Sequence, residues 1–467
     1  MKIHPVRVYS DRAVTPRSRL HIGRAAGRRT AVVATALALT LVGAACSSTT
    51  ADSTSATTTA TASAGATSTA PASTSESASG LKTIDPAALQ AIVDETAQEL
   101  LVPGYMVLLR TPQGEFIAAS GTTKLGENSL PTADTHFRIA SITKTMTSAV
   151  ILLLAQEGKL SLDDPVSKYL PEVPDGDNIS IAQLLEMRSG LYSFTDAPEI
   201  STSMDNDPTR VWKPQELLDI AFAQPPNFAP GAQYEYSNTN YVLLGLIIEQ
   251  LDGKPIAAAF KERLFDPLGL NDTVFPAAES NTIPEPYSHG YLYGSSSTMM
   301  YGSPPYTPEM EAEARAGTLQ PKDFTDVNHS FSFAAGAVTS TAADLGTWMK
   351  ALAGGQVLNA EYQRLWQDSA QIVNPANKYN WYGYGIDQIR WGSHVIDLHG
   401  GQTPGFNSEA AYDRATDMTL VIWGNLTMAL NNKFTAVEVM LKVLDQIYVE
   451  SPLPPPSATA APTTSGG

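Results

Sequence analysis

The chain is short of three things, and each shortage excludes something. It has a single cysteine, Cys46, in 467 residues, so it forms no internal disulfide and no cysteine-based zinc site. It is short of positive charge: 30 Lys and Arg face 47 Asp and Glu, a formal net charge of −17, which argues against nucleic acid as the main partner. Its apolar stretch Thr30–Ala45 has 16 residues and falls short of the roughly 20 needed to cross a bilayer.

Motifs are missing too. There is no His-Glu-x-x-His, and His394 and His399 stand five apart on a predicted strand, on opposite faces, so no catalytic metal is expected. Gly383-Tyr384-Gly385 lacks the rest of a dinucleotide fingerprint, and no Gly-x-Ser-x-Gly elbow of an α/β-hydrolase occurs. No cofactor is expected.

The ends differ from the middle. Residues 1–30 carry eight basic residues against Asp11; without them 22 positive and 46 negative residues remain. A basic flank, a short apolar run and small residues make residues 1–45 a secretory signal. Cys46 directly follows Gly43-Ala44-Ala45, which resembles a bacterial lipoprotein signal with Gly43 where such signals usually have Leu. That resemblance implies lipidation of Cys46. The expected location is therefore outside the cytoplasmic membrane, anchored to its outer face. Of residues 47–80, 29 are Ser, Thr or Ala, too polar and small to offset their ordering entropy, so they read as a disordered tether of about 30 Å reach. The tail 451–467 is Pro/Ala/Thr-rich and reads as disordered.

Residues 81–450 form the folded body; 43% hydrophobic residues over the chain supply a large core. Helical periodicity marks Asp85–Leu101, and a hairpin is predicted over Gly104–Thr111 and Glu115–Thr122. Ile139–Glu157 is apolar nearly all round and reads as one buried helix. Strands are predicted at Tyr382–Trp391, His394–His399, Phe406–Asp413 and Met418–Asn425, then a closing helix at Asn432–Tyr448. Pro284–Ser330 reads as irregular, a rim of the site. The fold class is therefore α/β (α+β). An antiparallel sheet is built from sheet parts at about 85–140 and 335–450, with a mostly helical part at about 141–334.

Three segments carry chemistry. Ser141-Ile142-Thr143-Lys144 places a serine and a lysine one turn apart on one helix face. A serine hydroxyl needs a neighbour to take its proton, and a poorly solvated lysine can do so. Tyr236-Ser237-Asn238 offers a phenol that can shuttle a proton and an amide that can orient substrate or lysine. His399-Gly400-Gly401 ends an apolar strand, its glycines permitting close backbone approach by a ligand.

In this order and spacing the segments resemble the penicillin-recognising serine hydrolases: class C β-lactamases, serine DD-carboxypeptidases, D-aminopeptidases and related esterases. The resemblance extends through Glu157–Pro165, Leu184–Leu191, Tyr236–Tyr241, Pro267–Leu270 and Ala335–Ala342, and looks closest to the DD-carboxypeptidases. It implies a β-lactamase/transpeptidase-like fold. It also implies Ser141 as acyl-accepting nucleophile, Lys144 and Tyr236 as the proton-transfer pair, and Asn238 as a positioning residue. His399 would line the site and tune Tyr236, and the backbone N–H groups of Ser141 and Gln402 would form the oxyanion hole. Gly400 departs from the threonine common there, whose hydroxyl meets a substrate carboxylate; Arg390 is the nearest basic residue that could replace that contact.

The expectation is a secreted serine hydrolase acting through an acyl-enzyme on a D-alanyl peptide of peptidoglycan, with β-lactams as acylating ligands. An esterase or D-aminopeptidase of the same fold is the alternative. A non-catalytic cell-wall-binding lipoprotein is the reading of another class.

Overall fold

The structure, a computed structural model, describes residues 80–301, 304–375 and 377–452. The signal segment, Cys46, the tether to residue 79 and the tail from 453 lie outside the described residues.

Helix α1 (Pro86–Leu100) starts where Asp85 accepts the Ala87 N–H at 2.9 Å and Pro86 fills the first helical position. Leu89, Val93, Ala97 and Leu100 repeat at helical spacing and form its buried face. The hairpin of β1 (Gly104–Thr111) and β2 (Gly114–Gly121) follows as predicted.

The predicted helix from Ile139 begins later and in two pieces. Ala140 takes a left-handed conformation (φ 49°), Ala140–Ile142 form a tight 3₁₀ turn, and α2 (Thr143–Gln156) starts after it. Ser141 therefore sits in the turn and Lys144 in the first turn of α2. Most of α2 is buried, as its all-round apolarity predicts. α3 (Asn238–Asp252) is as apolar, packs on α2, and ends at Gly253 with φ 64°. α4 (Ala342–Ala353) is capped by Thr341, whose hydroxyl accepts the Asp344 N–H.

The second half supplies β3 (Gln371–Asn374), β4 (Asn377–Tyr382), β5 (Asp387–Trp391), β6 (His394–Thr403), β7 (Phe406–Asp413) and β8 (Met418–Gly424), then α5 (Thr435–Ile447). The strand expected over Tyr382–Trp391 is two strands. Gly383–Ile386 turn between them, with Gly385 at φ 64°, where a Cβ would collide with Ser148 and the Tyr241 hydroxyl of the two buried helices. The strand expected to end at His399 runs on to Thr403. Pro284–Ser330 is largely irregular, with the short helices Ser296–Tyr301 and Pro308–Arg315 inside it.

The eight strands form one antiparallel sheet in the order β2-β1-β8-β7-β6-β5-β4-β3. The Tyr105 hydroxyl donates to the Thr435 carbonyl of α5 on one face, while Arg110 donates to the Ala343 carbonyl of α4 on the other. β6 outruns β5: its pairing with β5 stops at Leu398, and residues beyond run past the Ala140–Ile142 turn. That overrun brings the Ser141 turn against a strand edge that β5 leaves uncovered. Among the described residues no helix is long and apolar enough to cross a membrane.

Candidate active site

Ser141, Lys144 and Tyr236 meet in one place. Lys144 Nζ is 2.9 Å from Ser141 Oγ and 2.7 Å from the Ala335 carbonyl, which it holds as donor. The ammonium carbon chain is wholly buried, and burial pushes its pKa well below the ordinary lysine range. Among the described residues no carboxylate hydrogen-bonds to it, so nothing offsets the burial that favours the neutral amine. The contact with Ser141 then runs the other way, the serine O–H donating to the amine lone pair.

Tyr236 packs its ring 4.8 Å from Lys144 Nζ. Burial raises its phenol well above the usual value. The Ser141 hydroxyl is close enough to pull it partly back, though off the line of an ideal hydrogen bond. The Tyr236 phenol therefore keeps its proton at neutral pH.

The loop before α3 is tied down from several directions. Met187, left-handed at φ 61°, offers its carbonyl to the Glu235 N–H. Ser189 donates to Asn240 Oδ1 at 2.6 Å, Thr239 donates to the Tyr192 carbonyl at 2.7 Å, and Ser193 Oγ accepts the Asn238 N–H at 3.1 Å. These bonds fix Tyr236 on one side and the turn Phe194–Asp196 on the other.

A cavity of about 720 Å³, mouth included, opens over the cluster. Ser141, Tyr236, Asn238 and Gln402 line it as the sequence suggests. Asn238 does not orient the lysine: its Nδ2 donates to Thr195 Oγ1 at 3.0 Å, while the second partner of Lys144 is Ala335.

The third segment behaves differently from its reading. His399 is fully buried and does not line the cavity; its ring stands 6.2 Å from that of Tyr382, which in turn lies 6.3 Å from Tyr236. Tyr382, next to the unforeseen turn between β4 and β5, has its ring edge-on to both. Burial, with Lys144 adding to it, drives the His399 pKa well down, so the ring is neutral. Gly400 and Gly401 do not line the cavity either. At Gly401 the close approach is by the protein itself, since a Cβ would run into the Ile139 carbonyl and come within 2.5 Å of Ser408 Oγ. Arg390 lays its guanidinium over Trp381 at 5.0 Å and takes no part in the cavity.

The sequence reading missed one wall and one charge. Phe194, Met204, Met299, Met300 and Phe331 make an apolar wall. Among the described residues Asp196 is the only acidic or basic side chain lining the cavity, and burial followed by the nearby Glu235 pushes its pKa up to about 7. Asp196 sits in a three-residue turn with no periodicity to flag it. Among the described residues no three His, Cys, Asp or Glu side chains converge on a metal position.

Comparison with known proteins places this geometry. The Beta-lactamase family model matches residues 89–436. Esterase EstB of Burkholderia gladioli is 32% identical over 220 residues, 44% of this chain and 55% of that protein; the chain thus spans about half the length of this curated relative. The D-stereospecific amidohydrolase from Streptomyces sp. superposes with a TM-score of 0.65 at 29% identity, covering 78% of this chain and 98% of that one. The D-amino acid amidase from Ochrobactrum anthropi SV3 does so with 0.64 at 30%, covering 77% and 96%. With three quarters of its length under the family model and a buried lysine poised on a serine in the cavity, the chain belongs to the beta-lactamase family of serine hydrolases.

Proposed function

We propose that the protein hydrolyses amides of D-amino acids that carry a free amino group, through an acyl-enzyme on Ser141. The observation that carries this reading is Asp196. A lone carboxylate in the cavity suits an ammonium and repels a terminal carboxylate. Among the described residues no basic side chain lines the cavity to receive a C-terminal carboxylate, and Gly400 brings no hydroxyl, which favours the amidase over the D-alanyl carboxypeptidase. The D configuration rests on the two amidase neighbours. The apolar wall suits a large side chain.

The steps follow from the geometry. Ser141 gives its proton to neutral Lys144 as Oγ attacks the amide carbonyl. The backbone N–H groups of Ser141 and Gln402 receive the oxyanion. Tyr236 protonates the leaving amine and is resupplied from Lys144. Water then cleaves the ester by the reverse relay. The intact serine–lysine–tyrosine cluster favours an enzyme over a purely binding lipoprotein.

A substrate panel tests the reading: D-phenylalanine amide, its L enantiomer, the Nα-acetylated amide, a D-Ala-D-Ala peptide, nitrocefin and p-nitrophenyl esters. The D-amide should show the highest kcat/KM among amides, and acetylation or Asp196→Asn should raise KM at least about tenfold. For the free amide 1/KM should be bell-shaped in pH. It falls about fivefold from pH 7 to pH 6 as Asp196 takes up a proton, and falls again above about 8 as the substrate amine loses one. Ester KM should stay flat. An acetylated amide or a D-Ala-D-Ala peptide turned over better than the free amide would refute the reading.

We further propose export and lipid anchoring at Cys46, supported by the basic flank, the short apolar run and the small residues before it. Cys46→Ser should move the protein from the membrane fraction to the soluble one; an unchanged distribution contradicts the anchor.

A further inference from the structure

Thr403, the last residue of β6, lines the cavity beside Gln402. Its main chain is held from below, the Thr427 hydroxyl donating to its carbonyl at 2.8 Å. His329 lies behind it, fully buried, with Nε2 2.7 Å from Thr403 Oγ1 and Nδ1 2.9 Å from the Val327 carbonyl. A carbonyl oxygen can only accept, so Nδ1 carries a proton. The ring is then either a cation that donates from both nitrogens or neutral with a lone pair on Nε2.

Its surroundings decide for the neutral ring. No carboxylate bonds to it, and its neighbour is Arg138, itself 1% exposed, whose Nη2 donates to the Asn281 and Thr325 carbonyls. Burial, and then this guanidinium, both oppose a second positive charge. With Nε2 an acceptor, the Thr403 O–H must point back at it. The Thr403 oxygen then has only lone pairs to offer to anything in the cavity. One N–H of Asn238 Nδ2 is likewise engaged by Thr195, and Asp196, when ionised, is a further acceptor in the cavity lining.

We infer that Thr403 Oγ1, oriented by His329, accepts a hydrogen bond from an N–H of the bound substrate, and that this pair selects amines and amides over ligands whose groups only accept. The choice of substrate rests on the amidase reading above; the polarity of Thr403 does not. His329 is a positioning residue: it acts through the hydroxyl it holds.

The test compares wild type, Thr403→Ser, Thr403→Val and His329→Phe on D-phenylalanine amide and on p-nitrophenyl butyrate, which has no N–H. Thr403→Val keeps the shape and removes the acceptor. It should raise the amide KM about tenfold with little change in kcat and leave the ester KM unchanged. Thr403→Ser should restore the amide KM. His329→Phe frees the hydroxyl to rotate and should weaken the amide alone; should that variant fail to fold, the two Thr403 variants decide. An unchanged amide KM in Thr403→Val, or an equal rise for amide and ester, overturns the inference. Where wild type does not cleave the amide, the same compound is run as a competitor against the ester. A Thr403-dependent inhibition constant then supports this inference while the amidase reading fails, and no competition at all overturns both.

Discussion

Ser141→Ala leaves a folded protein that turns over no amide or ester at a measurable fraction of the wild-type rate. The expected loss in kcat is about 10³ to 10⁶-fold, the range over which removing a nucleophile from a concerted cluster acts. Structure should be untouched, because Ser141 makes its side-chain contact to Lys144 and the Ala140–Ile142 turn is fixed by the main chain. Mass spectrometry should find the fluorophosphonate or penicillin adduct on wild type and none on the variant. Retained turnover, or an adduct elsewhere, would falsify the assignment of Ser141.

Lys144→Met should be nearly as inactive, by about 10³-fold or more, and yet more stable than wild type. The side chain is completely buried, and the fold tolerates it only as a neutral amine. The sign follows from linkage. The folded-state pKa lies below the unfolded one, so as pH falls through the ordinary lysine range near 10.4 the unfolded chain binds a proton that the native state refuses. Wild type therefore loses stability over that range on the way to neutrality. Methionine, of similar length, loses none and also fills the site. At pH 7 the variant should gain about 1–2 kcal/mol, a Tm rise of a few degrees, and the gain should shrink toward pH 11. A variant that melts below wild type at pH 7 would remove burial as the reason for the depressed pKa. The lysine is thus a group kept against stability for the sake of chemistry.

The sequence makes the pairing of Ser141 with Lys144 legible because the two are local: residues three apart on one helical path must meet. The sheet is legible for a similar reason, since β7 and β8 are adjacent in the chain and pair as a hairpin. What cannot be read there depends on distant partners. Ala140 is left-handed in the turn on which β6 closes, and only Gly401, some 260 residues later, leaves room there for the Ile139 carbonyl. His399 looks like a site residue until Tyr382, next to the β4–β5 turn, sets its ring edge-on to it. Asp196 is placed by the Ser193 and Thr239 hydroxyls, which accept the Asn238 and Phe194 N–H groups across 45 positions, with no pattern in its own segment. Periodicity reports one element's face and is silent about what another element does to it.

The sheet order has a consequence in time. β1 and β2 are made first, yet the strand that β1 pairs with is β8, and the Gly104 N–H meets Asn425 across 321 positions. The bridge between Leu81 and Tyr448 closes the same seam further out. A growing chain therefore holds its nucleophile helix, its loop and its apolar wall long before it can close the sheet that supports them. Contacts so far apart in sequence make for slow folding, with loop-closure entropy to overcome before any of them helps. The cavity lining itself spans Ala140 to Pro404, so a chain that stops short of the end of β6 lacks the Gln402–Pro404 wall. Ser141 thus stands exposed on the growing chain for more than half of its length before the opposite wall of its cavity is made.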